Sequence, residues 1–110
     1  MSRTAVVALS RRGVDLARIL AASLDGAPDL YLSRRFVESG DVAQAFDLPL
    51  RHIIGKVLSE YQAVVLFLPV GAAVRLIAPY LQDKHQDPAV VCIDDAGRFT
   101  VSLVSGHVGG

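Results

Sequence analysis

This chain of 110 residues has no tryptophan, one cysteine and one methionine, and aromatic residues make up only 6 % of it. A single cysteine closes no disulfide within the chain, and Cys92, between Val91 and Ile93, reads as a small buried apolar group. Net charge is lacking as well. Eleven basic residues balance eleven acidic ones, so no overall field draws the chain to nucleic acid or to a membrane surface, and any anion binding has to be local. The longest apolar run, from Ala63 to Val74, is too short to span a bilayer and contains Pro69 and Gly71. No dinucleotide fingerprint, phosphate-binding P-loop, CxxC pair or HExxH occurs, which leaves nucleotide and structural-metal readings weak. The start, Met1-Ser2-Arg3-Thr4, has no signal-peptide pattern, so the expected location is the cytoplasm.

What the chain has in quantity is aliphatic residues: 52 % of it is hydrophobic and its mean hydropathy is +0.42. One domain of this length buries over about 60 % of its unfolded surface around one core. The apolar run Thr4-Ala5-Val6-Val7-Ala8-Leu9 is continuous rather than alternating, as in a parallel strand covered on both faces. Ser10 to Gly13 then turns the chain into a helix with a stripe of Leu16, Ala17, Leu20, Ala21 and Leu24, closed by Gly26 and Pro28. Asp29 to Ser33 reads as a second strand, with Arg34 and Arg35 where its carboxyl end meets solvent. Glu38-Ser39-Gly40-Asp41 reads as loop and Val42 to Phe46 as a brief helical turn.

From Pro49 the pattern sharpens. Leu50, Ile53, Ile54, Val57 and Leu58 mark one helical face, with Pro49 suited to the first turn. Ala63 to Leu68 is expected as the central strand, followed by a Pro69-Val70-Gly71 turn and a helix from Ala72 to Tyr80 that Pro79 ends or bends. Ala89 to Asp94 and Arg98 to Val104 form a hairpin across Asp95-Ala96-Gly97. The fold class is therefore α/β: an open three-layer Rossmann-like sandwich with a mostly parallel sheet and a C-terminal β-hairpin. In such sheets ligands collect outside the carboxyl ends of the strands, where Ser10 to Gly13, Ser33 to Arg35, Pro69 to Gly71 and Ser105 to Gly110 are expected to converge.

Three segments carry a resemblance. They are Val70-Gly71-Ala72-Ala73-Val74-Arg75-Leu76-Ile77-Ala78-Pro79, Asp83-Lys84-His85-Gln86-Asp87-Pro88-Ala89-Val90-Val91 and Leu103-Val104-Ser105-Gly106-His107-Val108-Gly109-Gly110. In this order they resemble the N-terminal part of the CbiG family, the cobalt-precorrin-5A hydrolases of anaerobic cobalamin biosynthesis; the first sixty residues resemble it only loosely. The resemblance implies a single domain over residues 1–110, a fragment lacking a following helix and a C-terminal domain. It also implies a substrate, a cobalt-bearing tetrapyrrole with acetate and propionate arms, whose δ-lactone is opened by water and whose extruded carbon leaves as acetaldehyde. Cobalt arrives within that substrate, so no separate cofactor or protein metal site is expected.

His107 is the candidate acid/base, because histidine exchanges a proton near neutral pH and Ser105, Gly106, Gly109 and Gly110 bring backbone amides close to a ligand. The plain alternative is a tight turn that His107 caps. Gly71, Arg75, Asp83, Lys84 and Asp87 are the further substrate-binding candidates, Lys84 and Arg75 for carboxylates and the acids for orientation. A solvated loop with local ion pairs, and a turn started by Asp87 before Pro88, explain the same residues without a ligand. Expected partners are the tetrapyrrole, the missing C-terminal domain or other pathway enzymes, and a second copy along an uncovered apolar strip. A non-catalytic corrinoid-binding or docking module is the alternative function; a nucleotide-binding domain ranks below both.

Overall fold

A computed structural model describes residues 3–82 and 87–105. Six strands form one sheet in the order β3-β2-β1-β4-β5-β6. β1 (Thr4–Ala8) lies parallel to β2 (Asp29–Ser33) on one side and to β4 (Ala63–Phe67) on the other, with Val6 opposite both Leu30 and Val65. β5 (Ala89–Ile93) continues the parallel set, and β6 (Thr100–Ser105) runs antiparallel to it, with Ile93 opposite Thr100 and Ala89 opposite Ser105. The expected α/β sandwich with a terminal hairpin is what forms. Gly97, at φ +76°, supplies the left-handed residue of that hairpin.

The continuous apolar strands are covered on both faces, as their lack of alternation requires. On one face α1 (Arg11–Ser23) packs Val14 and Ala17 against Val6, Ala8, Leu32 and Phe67. On the other, α2 (Arg51–Glu60) and α3 (Val70–Ile77) bring Ile54, Val57, Ala73 and Ile77 against Ala5, Val7, Val64 and Leu66. Cys92 is fully buried in this second layer and its thiol donates to the Leu68 carbonyl at 3.0 Å. It is the small core group expected, with burial pushing its pKa upward.

Four local expectations change. Val42 to Phe46 is no helical turn: Ala43–Phe46 is β3, parallel to β2, and buries Phe46. Ala-Gln-Ala favours a helix residue by residue, but a run this short cannot nucleate one, and pairing the otherwise open edge of β2 prevails. The helix expected from Ala72 begins at Val70 with Pro69 as its cap, and Ala78–Tyr80 around Pro79 is a separate 3-10 turn. Gly71 thus lies inside the first helical turn. Pro49 stands just ahead of α2, its carbonyl accepting from the His52 amide at 3.2 Å, and Leu24 caps α1 in solvent instead of extending its apolar stripe.

Gly13 marks the closest approach of helix and sheet. A Cβ there would lie 2.9 Å from the Ser10 hydroxyl, which caps α1 by accepting from the Gly13 amide, and 3.2 Å from Cβ of Phe67. Neither neighbour has room to retreat, since one is the cap and the other is fixed to β4. At Gly71 an added Cβ meets open space. We therefore expect Gly13→Ala to destabilise by about 1–2 kcal/mol in urea denaturation despite alanine's better helix propensity. Gly71→Ala should stabilise by about 0.5 kcal/mol.

Candidate functional site

The chain order reverses between β1 and β4. β1 leads through Ser10 into α1 on one face, whereas β4 leads through Pro69 into α3 on the other. Their loops diverge at the carboxyl edge, the position where open α/β sheets receive ligands. Gly13 is buried at the first of these loops, and Pro69, Val70 and Gly71 are exposed at the second.

The loop after β2 forms the next part of this edge, and it is clamped from α1. Arg18 donates through Nε and Nη2 to the two carboxylate oxygens of Asp41, both at 2.8 Å, and Nη2 also donates to the Phe36 carbonyl at 2.9 Å. Asp41 accepts in addition from the Glu38 amide at 2.8 Å. The paired guanidinium and that amide hold the Asp41 carboxyl down to about 2, and the carboxylate raises Arg18 in turn. The 3-10 turn Arg34–Phe36 is thereby tied to the sheet's helical cover.

Expected site residues divide between the two ends of the sheet. Gly71 lies at the carboxyl edge. Arg75 is exposed further along α3, and no contact with Asp87 forms; Asp87 instead accepts from the Gln82 amide at 2.8 Å, closing its own loop. Ser105 does not reach the carboxyl edge. Because β6 is antiparallel, it ends opposite Ala89 at the amino edge, on the side where Asp87 lies, so Ser105 stands apart from the loops that follow β1, β2 and β4. Asp83, Lys84, Gly106, His107, Gly109 and Gly110 lie outside the described residues.

The amino edge carries a polar group that no motif announced. Tyr61 donates to Asp29 at 2.6 Å, Arg3 bonds the same carboxylate oxygen at 3.1 Å, and the Tyr31 and Tyr61 hydroxyls meet at 2.9 Å. Tyr61, with Arg3 lying over its ring at 4.5 Å, is held neutral by burial and by Asp29, whose own pKa its hydroxyl and Arg3 lower. Among the described residues no cluster of three histidine, cysteine or carboxylate side chains offers a metal site.

The sequence model of the cobalamin synthesis G N-terminal family matches residues 52–110, just over half of the chain. The chain belongs to this family. It is 39 % identical over 110 residues to a cobalt-precorrin-5A hydrolase of Priestia megaterium and 38 % identical over 106 residues to one of Salmonella typhimurium strain LT2. Each alignment covers 96 % of this chain and 29 % of the relative, so the chain spans under a third of the length of these proteins. A crystal structure described as a cobalamin biosynthesis protein G homolog from Sulfolobus solfataricus matches with a TM-score of 0.64, over 97 % of this chain and 30 % of that one. At 22 % identity that likeness is one of fold.

The Arg18–Asp41 clamp yields a test. Asp41→Asn should cost about 1.5–3 kcal/mol at pH 7, the range for hydrogen bonds to charged groups. Asp41 is depressed in the folded state, so its contribution is complete above the ordinary carboxylate pKa and vanishes as pH falls toward about 2. Denaturation midpoints of the two proteins should accordingly converge between about pH 4 and pH 2.

Proposed function

We propose that this chain is the N-terminal domain of a cobalt-precorrin-5A hydrolase and forms part of its substrate site. The observation that carries this is identity of 38–39 % across 96 % of the chain to two proteins of that name. It extends over the first fifty residues, outside the segment that the family model matches. The lack of a dinucleotide or P-loop fingerprint agrees with a ligand other than a nucleotide.

The chemistry follows from the substrate. Water adds to the lactone carbonyl and frees a carboxylic acid and a secondary alcohol. Loss of the alcohol proton then lets the carbon–carbon bond to the macrocycle break, the carbon leaving as acetaldehyde while the bonding pair and a proton return to the ring. A base near neutral pH is wanted for the first step, and amide donors for the oxyanion it forms. His107 is assigned the proton transfers, and the amides of Gly106 and Gly109 the oxyanion. Ser105 and Gly110 shape that turn, while Arg75 and Lys84 take side-arm carboxylates and Asp83 and Asp87 orient the loop. Cobalt belongs to the substrate here.

In the full-length protein, His107→Ala should lower kcat for acetaldehyde release by at least about a hundredfold, the low end for loss of a general acid/base. Acetaldehyde is read with a coupled alcohol dehydrogenase. Turnover unchanged in His107→Ala removes the residue's role, and silence from the wild-type protein removes the hydrolase reading itself.

A further inference from the structure

The chain is neutral as a whole, but its charges are not evenly placed. Arg11 and Arg12 open α1, Arg34 and Arg35 follow β2, and Arg51 opens α2, so all five stand on consecutive loops of the carboxyl edge and all are exposed. Of these, only Arg34 has an ion-pair partner among the described residues, Asp47 at 2.9 Å. Of the other nearby acids, Asp15, Glu38 and Asp41 pair with Arg18 and Asp94 pairs with Arg98 in the β5–β6 turn, whereas Asp95 in that turn has no ion-pair partner among the described residues. Gathering like charges this way costs free energy in the empty protein, and an anion relieves it.

Two of these arginines are also held in place. The guanidinium carbons of Arg11 and Arg35 lie 5.2 and 5.4 Å from the centroid of the same ring, Phe36. Both distances are within cation–π range, so the ring orders two forks that would otherwise sweep through solvent. The Phe36 carbonyl is in turn bound by Arg18, whose other donors hold Asp41. Next along the edge come Pro69, Val70 and the open space at Gly71, an uncharged wall beside the charged one. Leu48, 55 % exposed, adds a second apolar point between β3 and α2. Guanidinium forks match carboxylates in pairs, and an apolar wall suits a flat ring face.

We propose that this carboxyl edge binds a macrocycle bearing several carboxylates, with Arg11, Arg12, Arg35 and Arg51 gripping its arms and Pro69 and Val70 meeting its ring. The macrocyclic part of this proposal rests on the hydrolase reading; the polycarboxylate part rests on the arginines. None of the four lies in the family-matched segment.

The probe is uroporphyrin, a stable octacarboxylate macrocycle, titrated into the full-length protein and read by its Soret band, with coproporphyrin, which carries four carboxylates, beside it. Uroporphyrin should bind more tightly than coproporphyrin and weaken steeply with salt, as contacts between exposed charges do. The double variant R11E/R35E should weaken it by at least about tenfold, R11K/R35K should recover part of the loss, and K56E on the exposed side of α2 should leave it unchanged. R12E and R51E, singly, give the same direction without touching Phe36. Equal affinity in wild type, R11E/R35E, R12E and R51E overturns the proposal, as does displacement of uroporphyrin by a short oligonucleotide at lower concentration than by coproporphyrin, which would make the edge a nucleic-acid surface. With precorrin as substrate, R11E/R35E should raise KM and spare kcat. Acetaldehyde release with an unchanged KM in that variant overturns the arginine site and leaves the hydrolase reading standing. Arginine-dependent uroporphyrin binding by a wild-type protein that releases no acetaldehyde does the reverse.

Discussion

Parallel strands cannot be joined by a tight turn, so each connection between them has to cross a face of the sheet. Nearly everything about this domain follows from that constraint. β1 and β4 are adjacent and parallel, both almost wholly apolar, and both need cover on two faces. The chain satisfies this by sending α1 over one face and α2 and α3 over the other. The two directions part between Ser10 and Pro69 at the carboxyl edge. The single antiparallel strand breaks the pattern: β6 turns back beside β5 and delivers the chain to the opposite end of the sheet.

The second ordering element is electrostatic. Asp41 is nearly buried and meets a guanidinium with ideal bidentate distances, backed by a backbone amide. Such a pair is stable only because each partner is fully satisfied, and removing either strands a charge. It lies between α1 and the loop after β2, so its rigidity passes to Phe36 and from that ring to Arg11 and Arg35. The pair at Arg34 and Asp47 is exposed on both sides and contributes far less.

The strands and helices with strong periodicity were legible in the sequence. A continuous apolar run marked β1 as doubly covered, apolar runs marked β4 and β5 as strands, and the Leu50 to Leu58 face marked α2. β3 was not legible, because Ala-Gln-Ala-Phe has no preference strong enough to compete with the pairing that β2 offers it. Motif residues were visible as chemistry but not as geometry. The α/β rule places ligand loops at the carboxyl edge, and it misplaced Ser105 because it takes every strand as parallel. Arg18 with Asp41, and Tyr61 with Asp29, are 23 and 32 residues apart, beyond any spacing signal. The arginines were individually visible and individually ordinary; their meaning lies in sharing one edge and one ring.

A neutral composition is compatible with two chemically different ends, and this domain has them. At the carboxyl edge Arg11, Arg12, Arg35 and Arg51 have no ion-pair partner among the described residues, whereas at the amino edge Arg3 is matched by Asp29 and a neutral tyrosine. A site that binds a polyanion only through net charge also attracts nucleic acid and every acidic protein. Concentrating the cations on a few loops, with acids elsewhere restoring neutrality, confines the attraction to distances of about a Debye length, near 8 Å at physiological salt. Specificity then depends on how many carboxylates a ligand presents within that range and on whether its uncharged body fits beside Val70. A flat ring with arms around its rim meets both conditions, and a linear polyanion meets the first alone.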